Sequence, residues 1–318
     1  MSAHKVCLLY DRKGWAYWRR SMALQKYSPA DFTVSLACGS VAPLVVPPAD
    51  LYLQPSYNCT QRLRHYVRLN RWKSRIVTNF TTGWTREGPH EGKHHWDKFY
   101  RDADWIVFNN RAAWGLAGMP ARSNWISNGV DRDMYRVTVP PDDRQPRVLW
   151  CGSTYHTKKD KHDLKNYYTL LEPLRQRLEA RGIPCDYRRI DAATYGKHGA
   201  EWYTTDQMVE WYNTGTVYLC ASDSEGTPNP ALEAASCGCV LVSTAVGNMP
   251  ELIQHGVNGL LVERAIDEME AAVVGAVERY RDWQPYIEAA IASWHWAHRA
   301  QQYFDLFRKL LAVAPCDR

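Results

Sequence analysis

No apolar run in this 318-residue chain approaches the roughly 18 residues that cross a bilayer, so the sequence holds no transmembrane helix. It also lacks a low-complexity tract, a short-period repeat and any sign of disorder. Its cysteines do not suggest a disulfide framework. There are nine, an odd number, at 7, 38, 59, 151, 185, 220, 237, 239 and 316, mostly in apolar strand-like surroundings that suit reduced, buried thiols. Cys237-x-Cys239 does not have zinc spacing, and no metal site is expected. The opening residues lead directly into a short strand rather than a leader-like apolar segment, so the expected location is cytoplasmic, associated with DNA or the surface of a membrane.

What is present is globular and divided. An apolar content of 45% with 12% aromatic residues suits packed cores, and the length allows two of them. Residues 1–140 carry 20 Lys and Arg against 10 Asp and Glu, whereas the remaining 178 carry 19 against 24. That asymmetry predicts an anionic partner for the first half: nucleic acid, an acidic membrane surface or a phosphorylated acceptor.

Apolar runs alternate with helical patterns. Strands are expected at 6–10, 32–36, 75–78, 105–108 and 125–127, and again at 148–151, 185–190, 217–220 and 240–243, which is the rhythm of parallel α/β sheets. The Pro- and Asp-rich stretch 140–146 reads as a linker. Near the end, Trp296, Ala300, Tyr303 and Phe307 recur at helical spacing and form a docking face.

The most specific segment is Ser224-Glu225-Gly226-Thr227-Pro228-Asn229-Pro230-Ala231-Leu232-Glu233. Gly226 tolerates unusual backbone angles, Asn229 is a good N-cap, and Pro230 suits a first helical position. A helix is therefore expected from about Pro230, with its N–H groups and positive dipole end offered to an anion such as a diphosphate. Carboxylates do not bind phosphate. Glu225 and Glu233 are better suited to accept hydrogen bonds from hydroxyls at the two ends of a ligand, a sugar and a ribose. The plainer reading is a helix start stabilised by an acid.

Glu225-x7-Glu233, the following 234–244 stretch and Gly247-Asn248-Met249-Pro250-Glu251-Leu252-Ile253 together resemble the retaining GT-B glycosyltransferases of family 4. Asn128-Gly129-Val130-Asp131 and His255-Gly256-Val257-Asn258-Gly259-Leu260-Leu261-Val262 extend the resemblance over about 125–310. It implies an α/β GT-B fold, in which two Rossmann-like parallel-sheet domains face across a cleft and the C-terminal helix crosses back to the N-terminal domain. The expected division is 1–138, 139–289 and 290–318. The implied substrate is a UDP- or GDP-sugar, handled without a metal. Glu225 would hold the transferred sugar and Glu233 the ribose, with contacts from Gly226, Thr227 and Asn229. In the loop Gly152-Ser153-Thr154-Tyr155-His156-Thr157-Lys158, Lys158 matches the family's phosphate-binding lysine, while Ser153 stands where the family has arginine. The family's Thr-His pair is absent after 75–80, leaving His90, His94 and His95 as candidates for its active-site histidine. Gly14, after the first strand, suits either a close approach to a ligand or a simple turn.

On the acceptor side, Arg64, Arg68, Arg71 and Arg75 step by four, three and four, which would align them on one face of a helix with Tyr66 and Trp72 available for stacking. Such a face would grip DNA phosphates around a hydroxymethylated base, or rest on a membrane bearing a lipid-linked or polysaccharide acceptor; a solvated charged face is the bland reading. The reaction expected is transfer of a sugar with retention. A sugar-nucleotide epimerase and an inactive sugar-nucleotide binder are the alternatives outside transferases.

Overall fold

The computed structural model describes residues 3–40, 44–55, 57–80, 102–154, 163–190 and 203–313. The chain packs as two units, Met1–Asn128 with Trp296–Arg318, and Gly129–His295. The 140–146 stretch lies inside the second unit. There the buried Arg144 donates to the carbonyls of Val139, Gly215 and Cys237, which ties the stretch to that unit's core.

The first unit holds a six-stranded parallel sheet from β1 (His4–Tyr10), β2 (Phe32–Cys38), β3 (Leu51–Gln54), β4 (Arg75–Phe80), β5 (Trp105–Phe108) and β6 (Ser123–Trp125), in the order β2-β1-β3-β4-β5-β6. Val6, Leu8, Leu51, Leu53, Val77 and Val107 turn to one face, against α1 (Ala16–Lys26) and the C-terminal helix; Cys7, Leu9, Tyr52 and Ile76 turn to the other, against α2 (Tyr57–Leu69). This is the period-2 alternation of a sheet buried on both sides. A further short helix, α3 (Arg111–Leu116), is capped by Asn110, whose side chain accepts from the Ala113 amide at 2.7 Å.

In the second unit a five-stranded parallel sheet comprises β7 (Val148–Ser153), β8 (Cys185–Ile190), β9 (Val217–Cys220), β10 (Val240–Ser243) and β11 (Gly259–Leu261), in the order β11-β10-β9-β7-β8. Its helices are α4 (Glu172–Ala180), α5 (Thr205–Tyr212), α6 (Asn229–Ser236), α7 (Met249–Leu252) and the 27-residue α8 (Ile266–Ala292). On α8, Met269 to Trp283 pack on one face of the sheet with α4, whereas Ile287 and Ile291, beyond Pro285, join the cluster of α5 and α6 on the other. One helix therefore serves both faces.

The strands β3 and β11 escaped the sequence reading. β11 has three residues, too short for an alternation to register, and β3 is framed by Pro47-Pro48 and Pro55, which read as loop. β6 lies two residues earlier than expected.

The last helix, α9 (Trp296–Leu311), belongs to the first unit. Trp296, Ala300, Tyr303, Phe304, Phe307 and Leu310 fill the β1–β3–β4 face, and Arg308 clamps Asp31 through Nε and Nη2 at 2.7 and 2.9 Å. Phe304 is fully buried, with its ring 4.8 Å from that of Phe32 and 5.5 Å from that of Phe307. Phe304→Ala is expected to cost the first unit about 3–5 kcal/mol, read by chemical denaturation; a loss below about 1 kcal/mol would mean that α9 is not integral to that core.

Candidate functional site

Open parallel sheets bind ligands beyond the carboxyl ends of their strands. In the second unit the ends of β7, β9 and β10 lie side by side, and the loop 221–228 that leaves β9 is pinned from both flanks. On one flank, the Asn166 side chain donates to the Ala221 carbonyl at 2.8 Å and to the Asp223 carboxylate, while the Asp223 amide donates to the Leu164 carbonyl at 2.9 Å. On the other, Thr244 Oγ1 donates to the Ser222 carbonyl at 2.7 Å, and Asn248 Nδ2 donates to Thr227 Oγ1 at 3.1 Å.

Gly247 makes this contact possible. Its φ is +54°, and a Cβ there would lie 2.4 Å from the Gly226 oxygen, so the backbone of 247 presses directly on the peptide between Gly226 and Thr227. The left-handed glycine beside this turn is Gly247, not Gly226, which the sequence reading had singled out for its tolerance of unusual backbone angles.

Glu225 is held at two points. Ser222 Oγ donates to Oε1 at 2.8 Å, and the Lys165 ammonium pairs with the same oxygen. Burial works against the lysine's charge, but the adjacent Glu225 outweighs it and holds the Lys165 pKa above its ordinary value. Lys165 is thus cationic throughout the neutral range. It is placed by Asn166, whose φ of +53° turns the chain just after it, ahead of a helical turn from Tyr167.

Glu233 lies on α6, 7% exposed, and its Oε2 accepts from the Tyr212 hydroxyl at 2.9 Å. The Tyr212 hydroxyl in turn lies 3.7 Å from the sulfur of Cys151 in β7. Burial, and then the neighbouring Cys151 and Glu233, raise the Tyr212 pKa well above normal, so it remains a neutral donor to the carboxylate. Burial likewise pushes the Cys151 thiol up to about 11, which keeps it an unreactive packing group.

The structure brings Glu225, Gly226, Thr227, Asn229 and Glu233 together with the end of β7. α6 begins one residue before the expected start: Asn229 is its first residue and Pro228 the cap, whose ring carries no acceptor for a side-chain cap bond, and the Asn229 amide closes on the Thr227 carbonyl at 2.9 Å. Gly152 and Ser153 continue β7, paired with Arg189 and Ile190, so the first two residues of the expected loop are strand. Gly14, in the first unit, has φ +80° in the turn before α1. Lys158, His90, His94 and His95 lie outside the described residues.

The arginine face does not form. α2 ends at Leu69, Arg71 takes the left-handed turn beyond it at φ +55°, and Arg75 starts β4. Arg64 is engaged inside the fold, with Nη2 3.0 Å from Asp104 Oδ2, and Arg75 donates to the Val313 carbonyl. Of these four, Arg64 and Arg68 lie on α2, and Arg68 is exposed. Trp72 stacks on Tyr52 at 6.3 Å and meets Tyr66 edge-on at 5.6 Å, so its ring is part of the core. The four-three-four spacing assumed a helix that a buried strand interrupts.

Sequence reasoning missed Lys165, Ser222, Tyr212 and Asn248. Lys165 had one usable signal, a lysine directly before an Asn that tolerates a left-handed turn and opens an aromatic-apolar helix. The 128–131 motif leads into a staple between distant segments: the Val130 amide donates to the Trp294 carbonyl at 2.9 Å, and His295 Nε2 lies 3.8 Å from Asp133 Oδ1.

Residues 145–279, which contain Lys165, Tyr212, Glu225, Glu233 and Gly247, match the family model described as Glycosyl transferases group 1. An alpha-maltose-1-phosphate synthase from Mycolicibacterium smegmatis is 30% identical over 123 residues, 35% of this chain and 32% of that protein. A D-inositol 3-phosphate glycosyltransferase from Acidothermus cellulolyticus is 30% identical over 113 residues, 34% of this chain and 25% of that protein. The matched stretch thus spans a third or less of each relative. Among solved structures, Anabaena HepE in complex with UDP and glucose superimposes with a TM-score of 0.68 at 15% identity, over 96% of this chain and 100% of that one. The fold is GT-B.

Proposed function

We propose that this chain is a glycosyltransferase that moves a sugar from a nucleotide-sugar donor to a hydroxyl of an anionic acceptor, with retention and without a metal. The observation that carries the reading is the Lys165–Glu225 pair beside the start of α6, which sets a half-buried cation, a carboxylate and the positive end of a helix around one loop. Glu225 orients the sugar through its hydroxyls. Glu233, held by Tyr212, takes the ribose. As the glycosidic bond breaks, negative charge gathers on the leaving diphosphate, and Lys165 with the positive dipole end of α6 stabilises it electrostatically. Lys165 thereby has the role that the sequence reading gave to Lys158. The departing phosphate oxygen accepts the proton of the attacking hydroxyl on the same face of the sugar.

For the acceptor, a phosphorylated small molecule is the better-supported anion. One relative's name gives a maltose 1-phosphate as its product and the other's gives an inositol 3-phosphate as the molecule glycosylated, both phosphorylated small molecules, and the DNA and membrane readings relied on an arginine face that does not assemble.

The test is a thermal-shift screen of UDP- and GDP-sugars, followed by transfer assays on phosphorylated sugars and polyols. A stabilising donor that is consumed only with acceptor is the expected result; conversion of the donor unaided would mark an epimerase, and no stabilisation by any donor would sink the reading. Glu233→Ala is expected to raise the donor KM by about 10–100-fold, the worth of a hydrogen bond to a charged group, with kcat little changed.

A further inference from the structure

Arg20 lies in α1 and is 2% exposed, yet its Nε and Nη2 have no hydrogen-bond partner among the described residues. Those two nitrogens form a single edge of the guanidinium, the one whose parallel N–H groups meet two oxygens of a carboxylate or phosphate at once. A buried cation with no counter-charge is among the most costly arrangements in a fold. The Tyr17 ring, 5.2 Å from the guanidinium, covers one of its faces but satisfies neither N–H.

The surroundings share this polarity. On α9 the buried Tyr303 donates to Asn79 Oδ1 at 2.8 Å, near the carboxyl end of β4. Burial pushes the Tyr303 pKa up, and the charges of Arg20 and Arg299 act on it in the opposite sense, so both guanidiniums lie within electrostatic reach of this one hydroxyl. α1 leaves the carboxyl end of β1, where the sheet order β2-β1-β3 reverses direction, the usual place for a ligand in such sheets.

We propose that the Nε/Nη2 edge of Arg20, with Arg299 and Tyr303 beside it, seats an oxyanion, a phosphate or carboxylate, carried by the acceptor. Oxyanion binding stands on this geometry alone; its assignment to the acceptor rests on the transferase reading above. With 2% of the arginine exposed, the oxyanion end of the acceptor is what enters, and the bidentate edge fixes its orientation.

The experiment compares the melting of wild type with that of Arg20→Met and Arg20→Lys in chloride, phosphate and malonate at equal ionic strength, with UDP and GDP present to occupy a diphosphate site. Phosphate stabilises folds in general by exclusion, so the readout is the difference between proteins. Wild type is expected to gain about 3 °C or more over both variants in saturating oxyanion, phosphate and malonate revealing which class is preferred. In chloride, Arg20→Met should melt no lower than wild type, because methionine replaces an unpaired buried charge. Equal shifts in wild type and Arg20→Lys overturn the proposal, and this arm decides should Arg20→Met fail to fold. A melting point for Arg20→Met several degrees lower in chloride also overturns it, since a group of the chain itself would then be satisfying the arginine. Stabilisation by UDP or GDP is scored separately and tests the transferase reading alone.

Discussion

Lys165→Ala is expected to slow sugar transfer by about 10²–10³-fold, the usual cost of removing one preorganised charge that faces a developing anion. Glu225→Ala should lose a similar factor, because the sugar is no longer oriented and a misplacement of about 1 Å is enough for a 10²-fold loss. The double variant should be scarcely slower than either single one. Lys165 and Glu225 share an ion pair, with Ser222 on the same carboxylate oxygen, and residues acting as a unit are not additive. Single-turnover assays with the best donor decide the matter: additive losses, or a fully active Lys165→Ala, would refute the paired role. The Lys165 pKa is raised, so the pairing contributes fully below the ordinary lysine value and is lost only as pH climbs through the raised one. Lys165 should therefore leave no inflection in the rate between pH 6 and 9.

Gly247→Ala is expected to damage the same site without removing any polar group. The left-handed backbone at φ +54° costs a residue with a Cβ about 1–2 kcal/mol, and the added atom, 2.4 Å from the Gly226 oxygen, must push the Gly226–Thr227 peptide aside. A fall in kcat of about 10²-fold should accompany a modest loss of stability. Gly275→Ala on α8, where a Cβ meets nothing within 4 Å, is the control and should be neutral or slightly stabilising. If Gly247→Ala retains full activity, the loop 221–228 is not being held in register by the 244–248 turn.

Most of the fold was legible because its strands are contiguous apolar runs: Val217–Cys220 and Val240–Ser243 are buried on both faces and read as such. The docking face of α9 was legible for the same reason, as a 3.6-residue period. The site was legible where its parts are neighbours in sequence. Glu225, Gly226, Thr227, Asn229 and Glu233 fall on one loop and one helix, and their turn chemistry shows in the residue types. The cation was not legible, since Lys165 lies sixty positions from Glu225 among several other lysines and only the fold pairs the two. The arginine stripe failed for the opposite reason: its spacing was right for a helix that stops at Leu69, and a period cannot reveal where the helix ends when Arg71 turns left-handed and Arg75 enters a strand.

By itself, then, the sequence determined what depends on near neighbours: two parallel α/β sheets, a closing amphipathic helix, and an acid-flanked turn at the start of α6. The tertiary structure alone decided which distant groups meet. It set Lys165 and Ser222 on Glu225, Tyr212 on Glu233 and Gly247 against Gly226, and it left one edge of the buried Arg20 without a partner among the described residues. Propensity and periodicity act over a few residues, whereas charge pairing and close approach depend on distance in space, which the order of residues along the chain does not contain.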